Sequence, residues 1–372
     1  MYSNQDIDEA VAAGALDAAA AASLRNFVDR DRSTPAVDEE QFRLVTSFND
    51  IFVSIASLIL LFAVAWIGQA LGQATGLVLS DAGTRGGPSP LAPVAVAAIA
   101  WGLALFFTAK RRMALPSIIL LLAFVGGVFA ASGLTIGLII GGAFLEDNAT
   151  AVSIATAVAA LVAAIAAYVH WKRFHVPITV AAGGAAIAGL VLALVAAAIG
   201  DEGDAMRTFM LGTVLVLGIA IFLFAMHWDK SDPTRLTRRS DVAFWLHLLA
   251  APMIVHPVFT LLGLNDGNAT VIEGLVVIAL YVVLAVAALA IDRRALLVSA
   301  LAYVLYALTK LFEQIGAVEL SVALTALVIG SALLLLSAFW HQARRMVVTR
   351  LPGELAAKLP LLDRPLTLQP AA

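Results

Sequence analysis

The sequence predicts an all-α, polytopic integral membrane protein of about ten transmembrane helices with both termini in the cytoplasm. Three observations predict it. The 372 residues are 61% hydrophobic and 13% charged, with a mean hydropathy of +0.95, where soluble domains run at about 45–50% apolar and about 25% charged. Ten segments approach or exceed the roughly 20 apolar residues that a helix needs to cross hydrocarbon. When those ten are threaded alternately, twenty of the 23 lysines and arginines fall on one side. Basic connections stay in the cytosol, so the number of crossings is even.

Residues 1–49 form the first region. Ser3 can cap a helix, Gly14 can end it in a left-handed turn, and Asp17 can cap "AAAAASLRNFVDR". Leu16, Leu24, Phe27 and Val28 supply a thin apolar face. About thirty residues cannot build a core of their own. The hairpin is therefore either a solvated leader or a docking module through which residues 1–40 bind a cytoplasmic protein. Phe42, Val45 and Phe48, three apart, suggest an interfacial run into the first span. The first fifty residues lack a short apolar core behind a basic start, so no cleavable signal is expected.

The transmembrane domain, residues 50–340, carries spans near 50–72, 92–109, 115–145, 149–171, 176–199, 206–226, 241–263, 269–291, 295–314 and 318–340. The third is long enough for one tilted helix or two short ones. Splitting it would flip every later connection and scatter the basic residues, so it counts as one crossing. Trp171, Trp228, Trp245 and Trp340 lie near predicted cytoplasmic ends and Trp66 near an outer end, as an interfacial belt requires. Trp101 falls mid-span and reads as a packing residue.

Within the third span, Gly133, Gly137 and Gly141 share one ridge, which permits close helix packing. In the seventh, Pro252 and Pro257 remove the helical donors to the carbonyls of Leu248 and Met253 and predict a kinked, buried helix. His247 and His256 of that span point to opposite sides and differ in depth by about 13 Å, too far for one metal ion. His247, about a turn inside the cytoplasmic face, reads as an interfacial or hydrogen-bonded histidine. His256 has potential company by depth: Glu273 on the eighth span, and Tyr303, Tyr306, Lys310 and Glu313 on the ninth, within an arc of about 80° at ideal geometry. Ionisable residues inside a membrane face the bundle interior or a wet cavity. These six are the candidate substrate or ion pathway in the outer half. The bland alternative has Lys310 and Glu313 snorkelling outward and Glu273 capping its helix. Residues 341–372, with prolines at 352, 360, 365 and 370, read as a flexible cytoplasmic tail.

Several function classes are excluded. Cysteine is absent, and with it disulfides, thiolate metal sites and cysteine nucleophiles. There is no HExxH, no GxSxG and no phosphate-binding glycine loop, and no catalytic residue, cofactor or metal is expected. Short basic loops without aromatics give no support for nucleic acid. The stretches "AGALDAAAAASLRNFV", "FNDIFVSIASLILLFAVAWIG" and "FWLHLLAAPMIVHPVF" resemble the uncharacterised bacterial polytopic membrane proteins grouped as domains of unknown function. That resemblance implies a short helical segment before a many-span bundle in a bacterial inner membrane, in contact with its lipids. The leading expectation is a small-solute transporter. An accessory or sensory protein that binds a cytoplasmic partner is the alternative, and a membrane enzyme acting on lipid-linked substrates is the third.

Overall fold

The structure, a computed structural model, describes residues 7, 10–32, 48–79, 86–200, 203–232, 237–263, 270–314, 316, 318–353, 359 and 362. Among these residues there is no strand. The helices are α1 (Ala18–Arg32), α2 (Phe48–Thr75), α3 (Leu91–Phe107), α4 (Ala114–Ile140) and the single-turn α5 (Gly142–Glu146). They continue as α6 (Ala149–Phe174), α7 (Ile178–Ile199), α8 (Asp204–Lys230) and α9 (Arg238–Leu261). The last four are α10 (Val271–Ile291), α11 (Ala295–Gln314), α12 (Ser321–Ala338) and α13 (Trp340–Val348). Eight of them, α2, α4, α6 to α10 and α12, are long and apolar enough to cross a membrane. The chain is thus a helical bundle of the polytopic membrane type. Helix α3 is apolar and 17 residues long, and α11 holds 20 residues, with Lys310 and Glu313 near its end.

Sequence neighbours pack as hairpins: α3 with α4, α6 with α7, α8 with α9, and α10 with α11. The buried faces are made of small residues. Helix α6 buries Ala155, Ala159, Ala163 and Ala167 along one side, while Phe62, Trp66, Ile139 and Leu334 stand exposed on the outside of the bundle. That inversion suits a lipid solvent, in which apolar surface needs no cover and helices associate through close packing. Side-chain caps close several helix starts. Asn148 accepts from the Ala151 N–H at α6, Thr237 from the Arg239 N–H at α9, and Thr270 from the Glu273 N–H at α10.

Three glycines mark close approaches of one helix to the backbone of another. A Cβ on Gly68 of α2 would lie 2.7 Å from the Leu91 carbonyl oxygen, and one on Gly127 of α4 2.9 Å from that of Pro93, both on α3. A Cβ on Gly218 of α8 would lie 3.0 Å from the carbonyl oxygen of Met253 on α9. The Gly133–Gly137–Gly141 ridge behaves differently. Gly141 has φ +99 and ends α4. A Cβ on Gly137 would meet Leu79 at 3.3 Å, and one on Gly133 would have only Ala159, at 3.8 Å. The long third segment is therefore one 27-residue helix followed by a single turn.

Helix α9 runs unbroken through Pro252 and Pro257 and is the most buried of the eight apolar helices. The freed Met253 carbonyl is the group that Gly218 approaches. Proline and glycine thus fit each other across the α8–α9 contact. Near the N-terminus, Gly14 adopts φ +70 ahead of α1. The Ser3 cap, the lead-in over residues 39–47 and residues 354–358, 360–361 and 363–372 of the tail lie outside the described residues. So do the side chains of Phe27 and Val28. The chain does not leave the bundle at residue 341. Phe339 breaks α12, and α13 returns with Trp340, Arg344 and Val348 buried. The first tail proline, Pro352, stands four residues beyond the end of α13 and leaves that helix free to form.

Candidate functional site

The connections between α3 and α4, α6 and α7, α8 and α9, and α10 and α11 gather at one end of the bundle, as their shared contacts require. The densest polar packing lies there. Asp229 sits in the last turn of α8, His247 in the third turn of α9, and Arg293 in the short turn between α10 and α11. Arg293 Nη2 donates to Asp229 Oδ1 at 2.5 Å, and its Nε lies 3.4 Å from Oδ2. His247 Nε2 stands 3.0 Å from the same Oδ2. Arg293 Nη2 also donates to the Ser240 carbonyl at 3.2 Å. Relative exposures are 4% for Asp229, 1% for His247 and 3% for Arg293, so this cluster of ionisable groups is shut away from solvent. Phe222 places its ring edge-on to His247 at 5.1 Å.

A second buried cluster grips the same turn from the other side. Asp292 ends α10 in the left-handed region at φ +57, a conformation that a short polar side chain tolerates. Its Oδ1 accepts from Trp340 Nε1 at 2.7 Å and lies 3.7 Å from Arg344 Nε. Arg294 lies over the Trp340 ring at 4.7 Å, a geometry that attracts cation to π-face. The segment Asp292-Arg293-Arg294 thereby ties α8, α9, α10 and α13 together. The basic residues of this turn and of α13, expected to be solvated, are in part structural. Arg293 and Arg344 are buried because each faces an aspartate.

The six residues of the expected pathway do not form one cluster. His256 Nδ1 lies 2.5 Å from the Tyr303 hydroxyl, and the Tyr303 ring stacks on Phe259 at 4.5 Å. Lys310 Nζ donates to Glu313 Oε2 at 2.8 Å, with both side chains about one-third exposed. Tyr306 is exposed. Glu273 forms a capping box with Thr270: its Oε2 accepts from the Thr270 N–H at 2.8 Å, and its own N–H donates to Thr270 Oγ1 at 3.2 Å. Glu273 thus serves its own helix start, α9 and α11 supply the His256–Tyr303 pair, and α11 alone supplies Lys310–Glu313.

The sequence pointed to His247 as hydrogen-bonded and missed Asp229, Arg293, Asp292 and Arg344. A signal for them existed. An aspartate at the end of an apolar span, and an Asp-Arg-Arg turn too short to carry its charges into water, both suggest pairing. His170 was missed too. It is fully buried on α6, 3.3 Å from Thr179 Oγ1, with the rings of Trp101, Phe124 and Phe174 around it. Among the described residues, no group of three His, Cys, Asp or Glu side chains could hold a metal ion. No family model, curated protein or solved structure matches the chain.

Proposed function

We propose that the chain is a small-solute transporter of a bacterial inner membrane, crossing it ten times with both termini in the cytoplasm and moving its solute together with a proton. Ten crossings take α3 and α11 as spans beside the eight long apolar helices and place the basic end of the bundle in the cytosol. The observation that carries the transport reading is the buried contact of Asp229, His247 and Arg293. Ionisable groups are costly when buried to this degree, and in membrane proteins those beside the spans' interior characteristically mark ion paths and proton relays. Histidine is the one side chain whose ordinary titration falls near neutral pH, and here it shares an aspartate oxygen with an arginine. Exchange of a proton at His247 changes the charge of that cluster and so the balance of attraction between α8, α9 and the α10–α11 turn. Helix α9 carries His247 at one polar station and His256, with Tyr303, at a second, about 13 Å away at helical rise.

Proteoliposomes loaded with a pH-sensitive dye test the proposal under an imposed proton gradient. Amino acids, carboxylic acids and sugars are added as separate classes. One class should accelerate proton entry, and His247→Gln, which can still hydrogen-bond Asp229 but cannot relay a proton, should abolish that acceleration while leaving the melting temperature near wild type. No response of the wild-type protein to any class, or an undiminished response in His247→Gln, would overturn it. Deletion of residues 1–40 should leave flux intact. If the deletion alone removes function in cells, the chain is an accessory protein that acts through a cytoplasmic partner.

A further inference from the structure

A cavity of about 480 Å³ opens at the basic end of the bundle, lined by residues other than those of the Asp229 cluster. The α3–α4 connection, the α6–α7 turn and the first turns of α9 enclose it. Its rim carries three arginines from three separate stretches of chain, Arg112, Arg173 and Arg238, while Met113, Ile118, Val176 and Trp245 make an apolar floor. Asp241 on the α9 wall offsets one of the three guanidinium charges and leaves the rim cationic.

Two further features single this cavity out. Thr108, 7% exposed, lines it, and its buried Oγ1 has no hydrogen-bond partner. Buried hydroxyls ordinarily find partners, so this wall of the cavity carries an unmet hydrogen-bonding demand. The second feature is backbone geometry. Arg112 and His175 both lie at φ +53, in the left-handed region, where a turn leaving a helix ordinarily uses glycine. Of the three described non-glycine residues in that conformation, these two line the cavity. Strained positions that retain large polar side chains are characteristic of ligand sites.

We propose that this cavity binds a phosphate-bearing anion, with the phosphate between Arg112, Arg173 and Arg238 and the apolar remainder of the ligand against Met113, Ile118 and Trp245. Guanidinium groups match phosphate oxygens in pairs. The mixed lining suits an amphiphile, and basic pockets between transmembrane helices on the cytoplasmic side recognise anionic lipid headgroups. A soluble phosphate supplies the same group without the lipid. The site is independent of solute transport.

The test is thermal unfolding of the purified full chain in detergent, with phosphatidylglycerol, phosphatidylcholine or inorganic phosphate added separately. Phosphatidylglycerol should raise the melting temperature by several degrees, and phosphatidylcholine, whose choline would meet the arginine rim, should not. Arg112→Gln, Arg173→Gln and Arg238→Gln should each weaken apparent affinity about tenfold. Arg111→Gln, beside the cavity but outside its lining, should bind as wild type does. A response to phosphatidylglycerol alone identifies a lipid ligand, and a response to inorganic phosphate identifies a soluble one. No response to either, or equal weakening by Arg111→Gln, overturns the proposal, the latter because diffuse surface charge would then suffice.

Discussion

Asp229 and Arg293 are each buried and each would be costly alone. Removing one partner of a buried ion pair strands the other and costs about 3–5 kcal/mol, whereas replacing both by apolar groups of similar size is often close to neutral. Asp229→Ala should therefore lower the melting temperature in detergent sharply. Asp229→Ala combined with Arg293→Met should recover much of that loss. The two are in direct contact, 2.5 Å apart, so their effects should be strongly non-additive. Additive losses would mean that the pair is not a unit in the folded protein. Each position hints at a partner, but nothing in the sequence says that an aspartate and an arginine 64 positions apart are partners of each other until the fold joins them.

Glycine at a helix contact matters only where backbone meets backbone. At Gly218 a methyl group would sit 2.9 Å from the Met253 carbonyl carbon, whereas at Gly133 it would sit 3.8 Å from the Ala159 Cβ in ordinary contact. Gly218→Ala should then destabilise by about 1–3 kcal/mol through forced separation of α8 and α9. Gly133→Ala should be neutral or slightly stabilising, since alanine is the better helix former. Unfolding of the two variants in the same detergent decides it, and a larger loss at Gly133 would restore the four-residue ridge as the main packing device. The regular spacing of Gly133, Gly137 and Gly141 was legible in the sequence. Which glycine touches a neighbour was not, because a helix presents every side to some surroundings and only tertiary packing selects one.

For the whole molecule, the lack of cysteine makes topology directly measurable. Single cysteines at exposed Lys110, Asp147, Glu319 and Arg345 can be probed with a membrane-impermeant maleimide in intact bacterial cells. Asp147→Cys and Glu319→Cys should label at once, and Lys110→Cys and Arg345→Cys only after the membrane is opened. Any exchange between these groups would refute ten crossings with both ends inside.

Sequence by itself determined the class of this protein and the approximate position of the long apolar helices, though not of α13, which it read as tail. Those properties follow from local quantities: the length of an apolar run against the thickness of hydrocarbon, and the placement of charge at its ends. It also determined that α9 is unusual, since prolines at 252 and 257 act on their own backbone wherever the helix lies. Tertiary structure alone decided that His247 joins Asp229 and Arg293, and that Arg112, Arg173 and Arg238 share one cavity. Those arrangements depend on which helix ends meet in space. Distant residues are brought together by the packing of whole helices, and no local pattern records that outcome.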